Sequence, residues 1–270
     1  MLMRLRRWLP AAALTIAALA AAAPAGAATP AKGFEQFTGC PSPAEDPTIS
    51  ICINSRIKTG FFKLGTRFVG IQNPMTLTGG VNEQLGGFRA GPGGGLRGVK
   101  QPVPGGLVGI TGLDFLVDLL SVSQLQVFAL PELVGQPVIG EGITLPLRVR
   151  LVNPLLGNNC YVGSAANPIR LEMIEGTTNP PPPNKPISGR APDFVQDPET
   201  GILSFSNGLF VDNSFAAPGA SGCVLNLLGL LGVDANALVN LQSGIPAAAG
   251  RNETQQEIDI ELAGIESVYP

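Results

Sequence analysis

The sequence predicts an all-β fold, either a β-sandwich or a Greek-key barrel, with short helical insertions. Two observations carry this prediction. Polar and apolar residues alternate in several short segments, which is the period of a half-buried strand, and turn-forming residues separate those segments. The 270 residues include 35 Gly and 25 Pro, a content typical of many short strands rather than long helices. Residues 47–270 are therefore expected to form a single β-rich domain.

The amino-terminal half contributes two predicted strands and one segment without a regular element. Residues Thr48–Ile53 alternate polar and apolar side chains, and Arg67–Gln72 forms a second short strand. Residues 79–112 are dense in Gly and Pro, which predicts a loop of long turns, partly disordered. Residues 113–127 fit a helical face and a strand equally, so both interpretations stay open at this point.

The clearest strand patterns lie in the middle of the chain. Residues Ile143–Leu151 alternate strictly, and Ile169–Glu175 repeat the pattern after turn residues, so the two strands are expected to run antiparallel. Pro146 cannot donate a ladder hydrogen bond, which predicts an edge position for the first of these strands.

The carboxyl-terminal part mixes strands with short helices. The four prolines 180–183 predict an extended segment outside any ladder. Asn207-Gly208 lies between two apolar runs, 201–206 and 209–211, and predicts a β-hairpin. Residues 225–231 and 234–241 are expected to form two helices, the second with Asp234 as its N-cap.

The last predicted strand separates its side chains by type. Residues Glu257–Leu262 place three apolar side chains on one face and three acids on the other. This pattern is typical of a strand with a solvated outer face, and we prefer it to an acid cluster for a metal.

The amino terminus has the three parts of an export signal. Arg4, Arg6 and Arg7 precede an apolar run of about 16 residues, shorter than the roughly 20 needed to cross a bilayer, and small residues follow Pro24. We expect residues 1–28 to be a cleaved signal peptide and residues 29–46 to be a polar tether. The product is expected to be secreted, and it either is released or stays at the cell wall through non-covalent contacts. The sequence leaves open whether export uses the general or the twin-arginine route.

Charge argues against two classes of partner. The chain carries 17 basic and 20 acidic residues, and loss of the three leader arginines leaves 14 against 20, a net charge of −6. An acidic domain without a Lys/Arg run is a poor match for nucleic acid or an anionic membrane. We therefore expect neither partner, and no membrane span after cleavage.

Four cysteines lie beyond the leader: Cys40, Cys52, Cys160 and Cys223. An even number in an exported chain predicts two disulfides, for which three connectivities exist. We favour Cys40–Cys52 and Cys160–Cys223, because the first pair shares one short segment and the second pair lies in turns. A metal site is disfavoured because the chain has no C-x-x-C spacing and no His.

Several segments in order resemble a family of uncharacterised secreted proteins of actinobacteria. The resemblance rests on these segments: Asn153–Ser164, Asn167–Ile169, Gly176–Thr178, Pro180–Ile187, Phe215–Cys223 and Gly244–Gly250. It implies export from a high-GC Gram-positive cell, and it supports a Cys160–Cys223 bridge. The family brings no catalytic residue to this chain. Members commonly end in a short strand that contains Asn-Gly, whereas this chain ends in the acidic strand.

The sequence offers little chemistry. Without His, the usual activation of a Ser or Cys nucleophile is excluded, so Ser221 in a Gly-x-Ser-x-Cys segment is interpreted as a turn residue. Residues 93–98 match a phosphate-binding glycine pattern, but no helix start follows, so we expect no nucleotide. Residues 252–254 fit a glycosylation sequon.

Carboxylates are the remaining catalytic candidates. A carboxylate pair could hydrolyse glycosides, with these candidates: Asp193, Asp197, Glu199 and Asp212. We assign no catalytic, cofactor-binding or metal-binding residue and expect no cofactor. The preferred hypothesis is an exported non-catalytic protein, an envelope-associated structural or adhesion module. The alternatives are a carboxylate-dependent hydrolase and a carrier of a small apolar ligand.

Overall fold

The computed structural model describes residues 28–82, 86–226 and 232–270, and it confirms the all-β fold class. The strands are β1 Ile51–Leu64, β2 Arg67–Ile71, β3 Met75–Asn82, β4 Gly87–Arg89, β5 Gly95–Arg97, β6 Gln101–Pro102, β7 Phe128–Leu133, β8 Val138–Ile139, β9 Ile143–Val152, β10 Tyr161–Val162, β11 Ile169–Met173, β12 Asp193–Gln196, β13 Leu203–Asp212, β14 Ala220–Ser221, β15 Val224–Leu225, β16 Val233–Asp234 and β17 Glu253–Gly264. The helices are α1 Gly106–Thr111, α2 Leu116–Leu119, α3 Val122–Leu125, α4 Asn236–Ser243 and α5 Ile265–Val268, with a 3-10 turn at Glu35–Phe37.

The strand pairing closes on itself. From β13 the hydrogen-bonded order runs through β17, β1, β3, β4 and β8 to β9, and β11 pairs with the opposite edge of β9. Just after β11, Ile174 and Val211 of β13 exchange two backbone hydrogen bonds of 3.0 and 2.9 Å. The result is a closed sheet, and its pairing favours the barrel over the sandwich.

Inward side chains of the closed sheet build the main hydrophobic core. On β1 and β17, Ile57 lies opposite Ile258 and both are buried. Leu171 and Met173 of β11 join the same core. Burying a large apolar side chain contributes about 1.5–3 kcal/mol, so the inward face of each strand specifies its register.

A second, smaller core fixes the segment 29–46 to the sheet. Phe37 and Cys40 are buried against Cys52 of β1 and Val268 of α5, and the Tyr269 hydroxyl donates to the Cys40 carbonyl at 2.8 Å. The expected tether is thus pinned by the first disulfide and also packs through its aromatic side chains.

Both disulfides join the pairs favoured from the sequence. Cys40 bonds to Cys52 over a separation of 12 residues, and Cys160 bonds to Cys223 over 63. The second bridge ties the start of β10 to the segment between β14 and β15. Two disulfides indicate an oxidising compartment.

The edge position predicted for Pro146 is wrong. Strand β9 is central, with β7 and β8 on one side and β10 and β11 on the other. The Pro146 carbonyl accepts a hydrogen bond from Val134 in the β7–β8 connection. Its nitrogen points to the same side, where the ladder is interrupted between β7 and β8, so the missing N–H leaves no pairing unmade.

The hairpin predicted at Asn207-Gly208 is also wrong. Strand β13 runs through both residues, and its register with β17 shifts there by one residue, which makes a β-bulge. Asn207 has a positive φ of 60°. Its side chain binds Asp193 and Lys58, and its N–H donates to Asp259. These partners hold the turn-prone residue inside a continuous strand.

The segment 79–112 contains regular elements where the sequence predicts a loop of long turns. The end of β3, the strands β4, β5 and β6, and helix α1 all lie in it. Its glycines permit close packing: a Cβ on Gly79 would lie 2.4 Å from the Phe88 ring, and one on Gly80 would lie 2.4 Å from Ile49. The glycine density therefore reflects crowding between strands.

The helical segments follow the sequence in part. Of the two interpretations of 113–127, the helical one holds, since α2 and α3 lie there. The predicted helix 225–231 begins instead in strand β15, and its residues 227–231 lie outside the described residues. The next helix starts at Asn236 and its N-cap is Ala235, so the N-cap predicted at Asp234 is wrong by one residue. Asp234 ends strand β16, and its Oδ1 accepts the Asn236 N–H at 2.8 Å from there. Residues 1–27 of the expected leader also lie outside the described part of the chain.

The acidic face of β17 is outward, as the alternation predicts. Lys58 of β1 lies between Glu257 and Asp259, at 2.8 and 2.9 Å from their oxygens. Hydrogen bonds to these two carboxylates raise the pKa of Lys58. The acidic face of β17 is therefore a solvated sheet face whose carboxylates at Glu257 and Asp259 are paired with Lys58.

Candidate functional site

The strongest candidate site is an apolar pocket of about 60 Å³ between the closed sheet and helices α1 and α4. Its lining is mostly aliphatic and comes from six strands and both helices. The lining residues are Phe62, Leu64, Arg67, Val69, Gln101, Val103, Ile110, Ala129, Pro131, Val149, Leu151, Val162, Ser243 and Ile245.

Strand register positions these side chains. Phe62 pairs with Val69 across the β1–β2 hairpin, and Ala129 pairs with Leu151 across β7 and β9. Directly opposite residues present their side chains to the same face of the sheet. Because Ala129 has only a methyl group at its position, space remains between the two strand pairs.

Arg67 is the cationic group of this pocket. Its Nη2 donates to the carbonyl oxygens of Gly109 in α1 and of Gln242 in α4, the latter at 2.9 Å, and Nε donates to the same Gln242 carbonyl at 3.2 Å. These carbonyls belong to the last turn of each helix, where the backbone leaves acceptors unpaired. Arg67 thereby links β2 to the carboxyl ends of both helices.

The turn before Arg67 is fixed to the same region. Gly65 has a φ of 57°, and its N–H donates to Asn252 Oδ1 at 2.8 Å. The Thr66 N–H donates to the Ser243 carbonyl at 2.9 Å. The hairpin end, the end of α4 and the segment before β17 therefore form one connected support for the guanidinium.

Gln101 is a polar lining residue with a structural role. It is 1% exposed. Its Oε1 accepts the N–H groups of Gln72 and Asn73, and its Nε2 donates to the carbonyls of Asn73 and Val99. Because all four hydrogen-bonding positions are occupied, Gln101 closes the wall and offers no free group to a ligand.

A second cleft of about 240 Å³ adjoins the pocket, and Val103 lines both. Apolar side chains of the α3 segment, including Val122 and Leu125, face this cleft. Val122 is 77% exposed. The pocket therefore has an apolar neighbour on the side of α3.

The four carboxylates proposed from the sequence do not line this pocket, and three of them accept hydrogen bonds from nearby groups. Asp193 accepts from the Asn207 amide, and Glu199 is exposed in the turn after β12. The Glu199 N–H and the Thr200 hydroxyl bind Asp197 and lower the pKa of its carboxyl group. The three residues serve the edge strand β12 and its turn.

Asp212 is the buried member of the set. It is 2% exposed, and its two oxygens accept the N–H groups of Glu172 and Ser214 at 2.7 and 2.8 Å. Burial raises the pKa of Asp212, which these two N–H groups only partly oppose. Asp212 therefore joins β13 to β11 where the sheet closes.

The remaining motifs have structural explanations. Ser221 pairs with Tyr161 in the β10–β14 ladder, and the glycine pattern 93–98 runs into β5, which pairs with β3. Asn252, in the sequon, is fully buried with its amide donating to the Phe215 carbonyl. Glycosylation at Asn252 is therefore incompatible with the fold.

Among residues 28–82, 86–226 and 232–270, acids and cysteines form no cluster of three or more that could hold a metal ion. None of the helices described there has the length and apolar character needed to cross a membrane.

Sequence reasoning did not identify the pocket. Its walls come from segments that lie far apart in the chain, such as β2, β7 and α4, and none of them carries a binding motif. The only local hint is a cation, Arg67, inside a short apolar strand. A comparison with protein families, curated proteins and solved structures finds no match to this chain.

Proposed function

We propose that this chain is an exported, non-catalytic binding protein that carries a small apolar ligand in the pocket beside α1 and α4. The observation that carries this proposal is the pocket lining, in which aliphatic side chains surround few polar groups. Small-molecule sites have this character. The two disulfides and the expected leader support export.

A binding role fits the polar groups better than hydrolysis does. The candidate acids Asp193, Asp197 and Asp212 are engaged by neighbouring amide or hydroxyl groups and do not line the pocket. Glycoside hydrolysis needs two carboxyl groups on either side of one bond. The hydrolase alternative therefore gains no support from their positions.

Titration of the purified protein with hexan-1-ol, followed by ligand-detected NMR, tests the carrier proposal. We expect saturable binding that the variant Ala129→Leu abolishes, because the larger side chain fills the space between β7 and β9. The variant Val195→Leu, on the exposed strand β12, serves as the matched control and should bind as the wild type does. Equal binding by Ala129→Leu, or no saturable binding at all, would overturn the proposal.

A second candidate, envelope attachment, is favoured by one surface. The α2–α3 segment exposes Phe115, Val117, Leu119 and Val122, with 50–77% of each side chain accessible. Contiguous exposed apolar side chains mark interaction surfaces. We infer that this surface contacts the cell envelope after export.

Co-sedimentation with isolated bacterial cell walls tests this candidate. The wild type should be retained, and the double variant Val117→Ser and Leu119→Ser should appear in the wash. Phe194→Ser, which removes an equally exposed side chain from β12, should remain bound. Recovery of the wild type in the wash would count against attachment.

A further inference from the structure

Arg67 differs from four other cations of the sheet in its partners. Lys58, Arg89, Arg148 and Arg150 each lie within 4 Å of a carboxylate oxygen. Within the described ranges, Arg67 has no carboxylate partner, and its hydrogen bonds go to backbone carbonyls from Nε and Nη2. Its Nη1 has no acceptor among those residues. A guanidinium keeps its charge at any physiological pH.

The position of this charge matters because Arg67 also lines the apolar pocket. A charged group that is partly withdrawn from water is costly unless an opposite charge or hydrogen bonds compensate it. The two helix carbonyls compensate it in part. A ligand anion would complete the set, and its apolar portion would lie beside Phe62, Val103 and Leu151.

We propose that the pocket binds a short-chain carboxylate, with the carboxylate on Nη1 of Arg67 and the alkyl chain among the aliphatic side chains. This assignment rests on the proposed carrier function and names its ligand class. A volume of 60 Å³ has room for about four to six water-sized groups. The alkyl chain is therefore short, linear or branched, and the cleft beyond Val103 sets the direction in which a longer chain extends.

The competing role for Arg67 is purely structural. Cations at the last turn of a helix stabilise its unpaired carbonyls, and Arg67 does this for α1 and α4. If that were its whole role, a carboxylate would bind no more tightly than a neutral alcohol of equal length, because the alkyl chains contribute alike and the carboxylate loses more hydration.

Calorimetric titration with hexanoate and hexan-1-ol separates these roles in the purified protein. We expect hexanoate to bind more tightly than hexan-1-ol to the wild type. The variant Arg67→Met should weaken hexanoate binding about tenfold or more relative to hexan-1-ol binding, the effect of losing one charge-assisted hydrogen bond. Loosening of α1 and α4 in this variant affects both probes alike and cancels in the ratio of their affinities. Arg67→Lys should be intermediate, since it keeps the charge without the planar fork.

Two controls keep the proposals distinguishable. Ala129→Leu should abolish binding of both probes, and Arg170→Met, at an exposed site on β11, should change neither. Equal affinities of the wild type for the two probes, or tighter binding of hexan-1-ol, would overturn the carboxylate assignment and leave the carrier function standing. Binding of neither probe would overturn both.

Salt dependence gives a readout that needs no variant. Added salt screens the attraction between a cation and an anionic ligand, so hexanoate affinity should fall with ionic strength while hexan-1-ol affinity stays constant. Should Arg67→Met fail to fold, this comparison on the wild type decides the question, and a hexanoate affinity independent of salt would overturn the assignment.

Discussion

Asp212 Oδ2 lies 2.7 Å from the backbone nitrogen of Glu172 and accepts its N–H across the seam where the sheet closes. The neighbouring residue, Val211, makes the backbone pairing with Ile174 at the same place. A buried carboxyl group thus adds a contact to a seam that holds one backbone pair within the described residues. This arrangement couples closure of the sheet to the protonation of one side chain.

The protonation of Asp212 should make stability depend on pH. Burial raises the pKa of Asp212 in the folded state, so the folded state binds its proton more tightly than the unfolded state does. The stabilisation that comes from this tighter proton binding is complete below the pKa of the unfolded state, about 4. It is lost as the pH rises through the higher pKa of the folded state.

Urea unfolding of the wild type and Asp212→Asn between roughly pH 4 and 7 measures this contribution. The variant has no titrating group at this position, so the wild type should lose stability relative to it as pH rises. Asp118→Asn, at an exposed site on α2, should stay parallel to the wild type. A rise in the stability of the wild type relative to Asp212→Asn toward pH 7 would contradict the assignment.

Local patterns predicted the strands better than the connections. The alternation over residues 143–151 predicts a strand with one face toward the core. The bounds of the observed strand β9 match the predicted bounds to within one residue. Asn207-Gly208 has the composition of a hairpin turn, yet β17, some fifty residues later, supplies the pairing partner that keeps β13 continuous. A pattern confined to a few neighbouring residues carries no information about such a distant strand.

The pocket illustrates the same limit. The small Ala129 side chain leaves a pocket only because Leu151, Phe62 and Ile110, which belong to other elements, line the same space. The sequence indicated that a ligand carrier was possible from its Leu, Val and Phe content, but volume depends on how distant segments pack. Arg67 has a definite role only once α1 and α4 are placed beside β2.

The bulge at Asn207 should tolerate Gly better than Ala. Asn207 has a φ of 60°, which costs a non-Gly residue about 1–2 kcal/mol, although Asn is among those that accept it. Both substitutions lose the side-chain contacts to Lys58 and Asp193, and only Ala adds backbone strain. The free energy of unfolding in urea should therefore be highest for the wild type, lower for Asn207→Gly and lowest for Asn207→Ala. Equal losses of stability in the two variants would mean that only the side-chain contacts of Asn207 matter.

The two disulfides should contribute unequally. In the chain-entropy treatment, the 63-residue separation of Cys160–Cys223 corresponds to about 4 kcal/mol, and the 12-residue separation of Cys40–Cys52 to about 3 kcal/mol. Thermal unfolding of the two Cys→Ala double variants measures this order. A larger loss of stability on removing Cys40–Cys52 would show that packing in the second core, around Phe37 and Val268, outweighs the difference in loop-closure entropy between the two disulfides.

Loss of the Arg67 guanidinium should loosen α1 and α4 without opening the sheet. Arg67 donates to the Gly109 and Gln242 carbonyls, so Arg67→Met leaves two helix ends without these donors, at a cost of about 1–3 kcal/mol for each partly buried acceptor. Helices this short depend on tertiary contacts for their stability. Hydrogen exchange should therefore accelerate in α4 while amides shared by β1 and β17 stay protected, as in the control Arg170→Met. Uniform acceleration through β17 would instead place Arg67 in the cooperative core of the fold, and unchanged exchange in α4 would show that its packing against α1 suffices.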